Sequence, residues 1–214
     1  DPVIIREIGD QDRGHNLLVK ISDQILVQAL HTHARRLFQM VHGKWERFLP
    51  ESNRIISSGR TRIIFFPRWS NKEFYRLFSE LGVDSKLRIA VSHLNDPGAC
   101  KHLIKLAHQG INLEIITHDT ERRVPAWVEE EMRENNVNFK RYIHPEGLPM
   151  HNKFMLIDTP KAQSVVFGSM NLSVRSLHAN HELLVISKDQ ALYQDFSQRW
   201  EKMQKEVMIS QLTE

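Results

Sequence analysis

Between residues 150 and 182 the side chains suited to phosphate chemistry crowd together. They run as Met150-His151-Asn152-Lys153-Phe154-Met155-Leu156-Ile157-Asp158, then Gly168-Ser169-Met170-Asn171, then Asn180-His181-Glu182. His151 and Lys153 are two apart, so on an extended chain both project from one face. An imidazole and an ammonium placed that way can meet one phosphate together. Gly168 permits close backbone approach, while the Ser169 hydroxyl and the Asn171 amide can hydrogen-bond a phosphoryl oxygen or a catalytic side chain. Glu182 can accept from the ring N–H of a histidine, orienting it and raising its basicity. A phosphodiester's negative charge repels anionic nucleophiles, so a neutral imidazole flanked by cations is a suitable attacker. The departing alkoxide needs a proton, which a second, protonated histidine would donate.

These residues must be held by regular elements. From residue 60 onward, short β-branched runs alternate with amphipathic stretches, the pattern of strands interleaved with helices. Strands are expected over Arg62 to Phe66, Leu87 to His93, Leu113 to Thr117, Val137 to Ile143, Lys153 to Asp158, Val165 to Ser169 and Glu182 to Ser187. Helices are expected over Asn71 to Leu81, from Pro97 to Gly110 with Asp96 as cap, over Arg122 to Asn135, and from Asp189 onward. The last would bury Leu192, Phe196, Trp200 and Met203 on one stripe. The fold class is α/β.

The first sixty residues match the end of that domain. Lys44-Trp45-Glu46-Arg47 aligns with Arg199-Trp200-Glu201-Lys202, and Ile25-Leu26-Val27 with the strand Leu183-Leu184-Val185. Residues 1–50 are therefore expected to be the closing strand and helix of a preceding repeat, 51–59 a linker, and 60–214 the complete repeat. The chain starts at Asp1 rather than Met and reads as a processed or partial chain.

Chance accounts poorly for the central string. With 12 His, 12 Lys and 10 Asp in the chain, a His-x-Lys-x4-Asp pattern arises at random roughly 0.03 times. The following Gly-Ser-x-Asn strengthens it. Together they resemble the signature of the phospholipase D superfamily. The resemblance covers about residues 60–205, and Val174-Arg175-Ser176-Leu177 with Asn180 and Glu182 looks most like the cardiolipin synthase and bacterial phospholipase D branch. It implies an α/β/α sandwich around a central mixed sheet, two motifs facing each other across one site, and a covalent phosphohistidine. His151 would then be nucleophile or general acid, Lys153 would bind phosphate, and Asp158 would support the motif. Ser169 and Asn171 would line the phosphate site, and Glu182 would hold the His151 ring. His93, ending a strand where α/β sheets place ligands, is expected to touch substrate.

The second histidine is not supplied by His42-Gly43-Lys44, the only other His-x-Lys, because Leu49 stands where Asp is needed. It is expected from a second motif-bearing half, either an N-terminal half of the same protein, which the repeat tail favours, or a twofold-related subunit. The expected substrate is a phospholipid, transferred to water or to an alcohol. A nuclease of the same superfamily and a catalytically silent binding module are the alternatives.

No cofactor is expected. His31, His33, His178 and His181 lack the companions of a zinc site and read as surface histidines, so no metal is expected either. Arg60, Arg62 and Arg68 with Trp69, and Arg122 and Arg123 with Trp127, read as solvated arginines beside half-buried tryptophans, although each group could contact phosphate or a lipid surface. The helix with Glu129, Glu130, Glu131 and Glu134 would repel nucleic acid. Twenty-nine basic against 26 acidic residues give a net charge of +3, mild for a dedicated nucleic-acid binder. No apolar run is long enough to span a membrane and no signal peptide is evident, so the chain is expected to be soluble or peripheral to a membrane. The lone Cys100 excludes an internal disulfide.

Overall fold

Eight strands form one sheet: β1 (Ile55–Ser58), β2 (Thr61–Phe66), β3 (Lys86–Val91), β4 (Asn112–His118), β5 (Asn138–Tyr142), β6 (Lys153–Asp158), β7 (Gln163–Gly168) and β8 (Glu182–Ser187). Their order is β1-β2-β8-β7-β6-β3-β4-β5. β3, β4 and β5 are parallel, and every other neighbouring pair is antiparallel. The computed structural model describes residues 17–39, 45–144 and 149–212. His42-Gly43-Lys44 lies outside the described residues.

Side-chain alternation along the strands divides the core into two layers. On one face Ile64, Ile89, Met155, Val166 and Leu184 meet α2 (Lys72–Tyr75), α3 (Pro97–His108), α4 (Ala126–Glu134) and α5 (Val174–His178) through Phe74, Leu103, Val128 and Leu177. On the other, Phe154, Leu156 and Val165 meet α6 (Gln190–Leu212) through Tyr193, Phe196, Trp200, Met203 and Val207. Ile63, Phe65 and Val185 of that face meet Leu26 of α1 (Gln24–Phe38). The result is the α/β/α sandwich around a mixed sheet that the resemblance implies. Both ends of β6 and of β8 fall where expected, and the Asp96 carboxylate caps α3 by accepting from the Ala99 N–H at 2.7 Å.

Several expectations are corrected. Ile25-Leu26-Val27 is helical: Asp23 caps α1 by accepting from the Leu26 N–H at 2.9 Å, and a local capping bond outweighs the β preference of three aliphatic residues. His31 and His33 consequently lie inside α1. The 51–59 segment holds β1, which pairs with β2 across a turn at Gly59, whose φ of 52° suits glycine. Trp45, aligned with the buried Trp200, is 68% exposed and precedes a short 3-10 turn over Glu46–Phe48. The amphipathic stretch after Asn71 breaks into α2 and a 3-10 turn at Arg76–Phe78. On α6 it is Tyr193 that is fully buried, with Leu192 at the margin.

Candidate functional site

The site collects at one end of the sheet, where β3 and β4 finish, β6 and β8 begin, and β7 ends. Lys153 opens β6 opposite Val91, the last residue of β3. It shares a face with Met155 and Ile157, and two residues upstream stands His151. Ser92 binds the intervening peptide, its N–H donating to the Asn152 carbonyl at 2.9 Å, which fixes the entry to β6 against the exit of β3. The Lys153 ammonium donates to the His151 carbonyl at 3.1 Å. The two side chains sit half-buried and electrostatically coupled.

β7 delivers Ser169 through Gly168, whose φ is 154° and where an added Cβ would lie 2.1 Å from the Leu183 carbonyl oxygen. Only glycine lets β7 pass β8 this closely before the chain turns to Ser169. The Ser169 hydroxyl donates to Glu182 and accepts from the Leu183 N–H at 3.1 Å. Glu182 also receives the Ser176 hydroxyl at 2.9 Å and the Asn180 amide at 3.2 Å, and its charge favours the Lys153 ammonium. These hydrogen bonds of Glu182 all run to neighbours at the end of β7, on α5 and in the turn before β8. Asn171 reaches across to β3, its amide oxygen accepting from the His93 N–H at 3.2 Å. His93 is thereby brought into the same group.

Asp158 stands apart. It lies at the far end of β6, about 16 Å of extended chain from Lys153, and on the opposite face. There it takes the Arg88 guanidinium at 2.9 Å, the Gln163 amide at 2.8 Å and the Tyr193 hydroxyl. Its contacts fasten β6 to β3 and α6.

Arg123 is the residue whose importance the sequence understated. It was read as solvated, yet its guanidinium is half-buried and donates to the Ser92 hydroxyl at 3.2 Å, while its carbonyl accepts from the Leu94 N–H. Its charge reaches His93, His118, His151 and Lys153. His118, at the end of β4, is buried and bonded to Asp119 at 2.5 Å. Arg68 is likewise engaged, donating to the carbonyls of Asn53 and Phe65.

Burial first, then Lys153, Arg123 and His118, hold the His151 imidazole down at about 4. Burial, Arg123 and Lys153 do the same to His93, also to about 4. Desolvation lowers Lys153 to about 8, with Glu182 opposing and Arg123 assisting. At neutral pH the site therefore presents an uncharged imidazole beside an ammonium and a guanidinium, a combination fit to receive a phosphodiester anion and attack it. Among the described residues no group of three His, Cys, Asp or Glu side chains is arranged to hold a metal ion.

These values set a pH profile. Attack by neutral His151 requires its deprotonated form and phosphate binding requires charged Lys153, so these two groups set the outer limits of kcat/KM, and the proton-donating histidine of the second module narrows the profile from its alkaline side. The outer limits lie at about 4 and about 8. Stability carries its own sign. His93 and His151 bind protons less readily folded than unfolded, so their contribution is intact above about 6.5 and is lost as pH falls toward about 4. Steady-state rates and thermal midpoints across this range check both expectations.

Residues 79–204 match the family model described as cardiolipin synthase, PLD-like domain. Mitochondrial cardiolipin hydrolase of Xenopus laevis is 24% identical over 138 residues, covering 64% of this chain and 63% of that protein, under two thirds of its length. The fold is similar to that of Nuc from Salmonella typhimurium, a phospholipase D family member (TM-score 0.58, 15% identity, 68% of this chain and 94% of that one). It is also similar to NucT from Helicobacter pylori (TM-score 0.50, 18% identity, 68% and 97%).

Proposed function

We propose, from the premise that this chain belongs to the cardiolipin synthase PLD-like domain family of the phospholipase D superfamily, that it supplies half of a phosphodiesterase site acting on phospholipids through a phosphohistidine. The observation that carries this is the pairing of a neutral, half-buried His151 with the Lys153 ammonium and the Arg123 guanidinium at one end of the sheet. His151 Nε2 attacks phosphorus, the bond from phosphorus to the leaving oxygen breaks, and the alkoxide takes a proton from a histidine on the second module. Lys153 and Arg123 offset the charge that builds on the non-bridging oxygens. Water or an alcohol then attacks the phosphohistidine, which frees His151, and the second histidine takes up that nucleophile's proton.

Ser169 and Asn171 act chiefly on the protein side, positioning Glu182 and His93 around the phosphate. Glu182 in turn keeps Lys153 charged. His93 stands in the same group of residues through Asn171. The second module is an N-terminal half of the same protein or a twofold-related copy of this chain. Support for a lipid substrate comes from the matched family model and from the curated relative, whose name specifies cardiolipin.

The substrate is assigned by incubating the complete protein with cardiolipin vesicles and with single-stranded DNA, each beside His151→Ala. Phosphatidate release from the lipid that disappears in the variant is expected. Cleavage of DNA alone would transfer the same site to nucleic acid, and lipid turnover that survives in the variant would remove His151 from it.

A further inference from the structure

We propose that an exposed aromatic platform at the site's end of the sheet, formed by Trp45, Phe48 and Trp69, docks the protein on anionic phospholipid bilayers. Trp69 stacks on Trp45 with centroids 5.7 Å apart and on Phe48 at 4.8 Å. Both tryptophans remain outside the core, Trp45 at 68% and Trp69 at 61% exposure. Two large, accessible indoles held against each other are not explained by packing. In this chain Trp200 shows what packing does, being 1% exposed.

The platform lies at the site's end of the sheet. Phe66, the last residue of β2, pairs with Glu182, the first of β8. Trp69 follows three residues later, so at most about 10 Å of chain separates it from Phe66, the strand partner of Glu182. The connection continues sideways, because Asn71 contacts His178 at the end of α5, and α5 also carries Ser176, a partner of Glu182. An interfacial aromatic group buries about 5–10 Å into the boundary between headgroups and acyl chains. Rings inserted to that depth would hold this end of the sheet near the level of the lipid phosphates.

The chemistry of the patch selects the partner. Leu49, next to Phe48 in the chain, is 41% exposed, and an apolar boundary accepts it as readily as indoles. The adjoining segments carry exposed Arg54, Lys72 and Arg175 against exposed Glu46 and Glu51, a mixed rim whose balance is positive and suits anionic headgroups. A surface for unpaired bases relies on ring faces alone, whereas exposed Leu49 beside these rings offers a base no face to stack on and suits an apolar boundary. Among the described residues no helix is long and apolar enough to cross a membrane, so contact through this patch would be superficial.

The partner is chosen on the phospholipid reading of the site, and the test is built to separate the two. Docking is measured on the catalytically disabled His151→Ala protein, complete with its second module, using vesicles of phosphatidylcholine with about 30% phosphatidylglycerol. The double substitution Trp45→Ser, Trp69→Ser is expected to weaken partition at least about tenfold while leaving the thermal midpoint in place. Lipids brominated along the acyl chain should quench the tryptophan fluorescence of the parent, and the quenchable fraction should vanish in the double variant. Unaltered partition, an absence of quenching in the parent, or loss in the variant of single-stranded oligonucleotide binding instead of vesicle binding would each overturn the proposal. None of these outcomes depends on whether His151 performs chemistry.

Discussion

His151→Ala is expected to lower kcat by at least about four orders of magnitude, because it removes the group that bonds to phosphorus and leaves no alternative nucleophile in its place. The imidazole is suited to that role by its surroundings. Burial, Lys153 and Arg123 keep it uncharged at neutral pH, and the same two cations attract the substrate's anionic phosphate. Lys153→Ala should cost about two to three orders, the range of a single charge-stabilising group acting in a partly desolvated site. Combining the two substitutions should add little to the first alone, since both act on one step. The thermal midpoint should hold or rise in His151→Ala, because a side chain that resists protonation in the fold is a liability in acid. Rapid-quench kinetics with matched thermal unfolding would measure both. A His151→Ala protein retaining a tenth of its rate would remove the histidine from the chemistry.

Asp158→Ala should do the reverse, unfolding the protein without altering the reaction. Arg88 is 9% exposed, and its guanidinium meets the Asp158 carboxylate at 2.9 Å and the Tyr193 hydroxyl at 2.6 Å. Removing the carboxylate leaves a buried cation with only neutral partners in Tyr193 and Ser197. Such a break costs about 3–5 kcal/mol, which for a chain of this size moves the midpoint down by about 6–20 °C. Tyr193→Phe keeps the ion pair and should cost about 1–2 kcal/mol. Activity per folded molecule at low temperature should stay within about tenfold of the parent, because the reacting end of β6 lies about 16 Å from this cluster. A large loss of activity in a protein as stable as the parent would place Asp158 in the chemistry after all.

Much of this arrangement was legible in the residues, for identifiable reasons. β6 and β8 were bounded correctly because continuous apolar runs end at charged or turn-forming residues, Lys153 and Asp158 in one case and Glu182 in the other. α3 announced itself through Asp96-Pro97, a capping side chain followed by a proline fit for the first turn. The convergence of His151, Lys153, Ser169, Asn171 and Glu182 followed from strand ends that the topology brings to one edge.

What the residues concealed depended on contacts distant in sequence. Ile25-Leu26-Val27 has strand composition, but its order is decided by a cap at Asp23 and by Leu26 seated on Ile63, Phe65 and Val185. β1 is four residues at the sheet edge, too short to show alternation. Arg123 shares its stretch with Arg122, and only the return of that loop over Ser92 and Leu94 distinguishes the cation that faces the histidines. The partners of Glu182 escaped for the same reason, since serine and asparagine hydroxyls and amides announce no partner in advance. Trp69 offers composition without position, and only its stacking on Trp45, distant in sequence, gives its exposure a context.

A covalent bond between phosphorus and His151 is the central claim, and it can be observed directly. The complete protein would be mixed with phospholipid labelled in the phosphate, stopped within milliseconds by denaturant at alkaline pH, and digested for peptide mapping. The label should be found on the peptide carrying His151, stable to base and released by mild acid, and it should be absent from His151→Ala. Continued turnover with no label on that peptide, or label fixed to a different residue of this chain, would contradict the account.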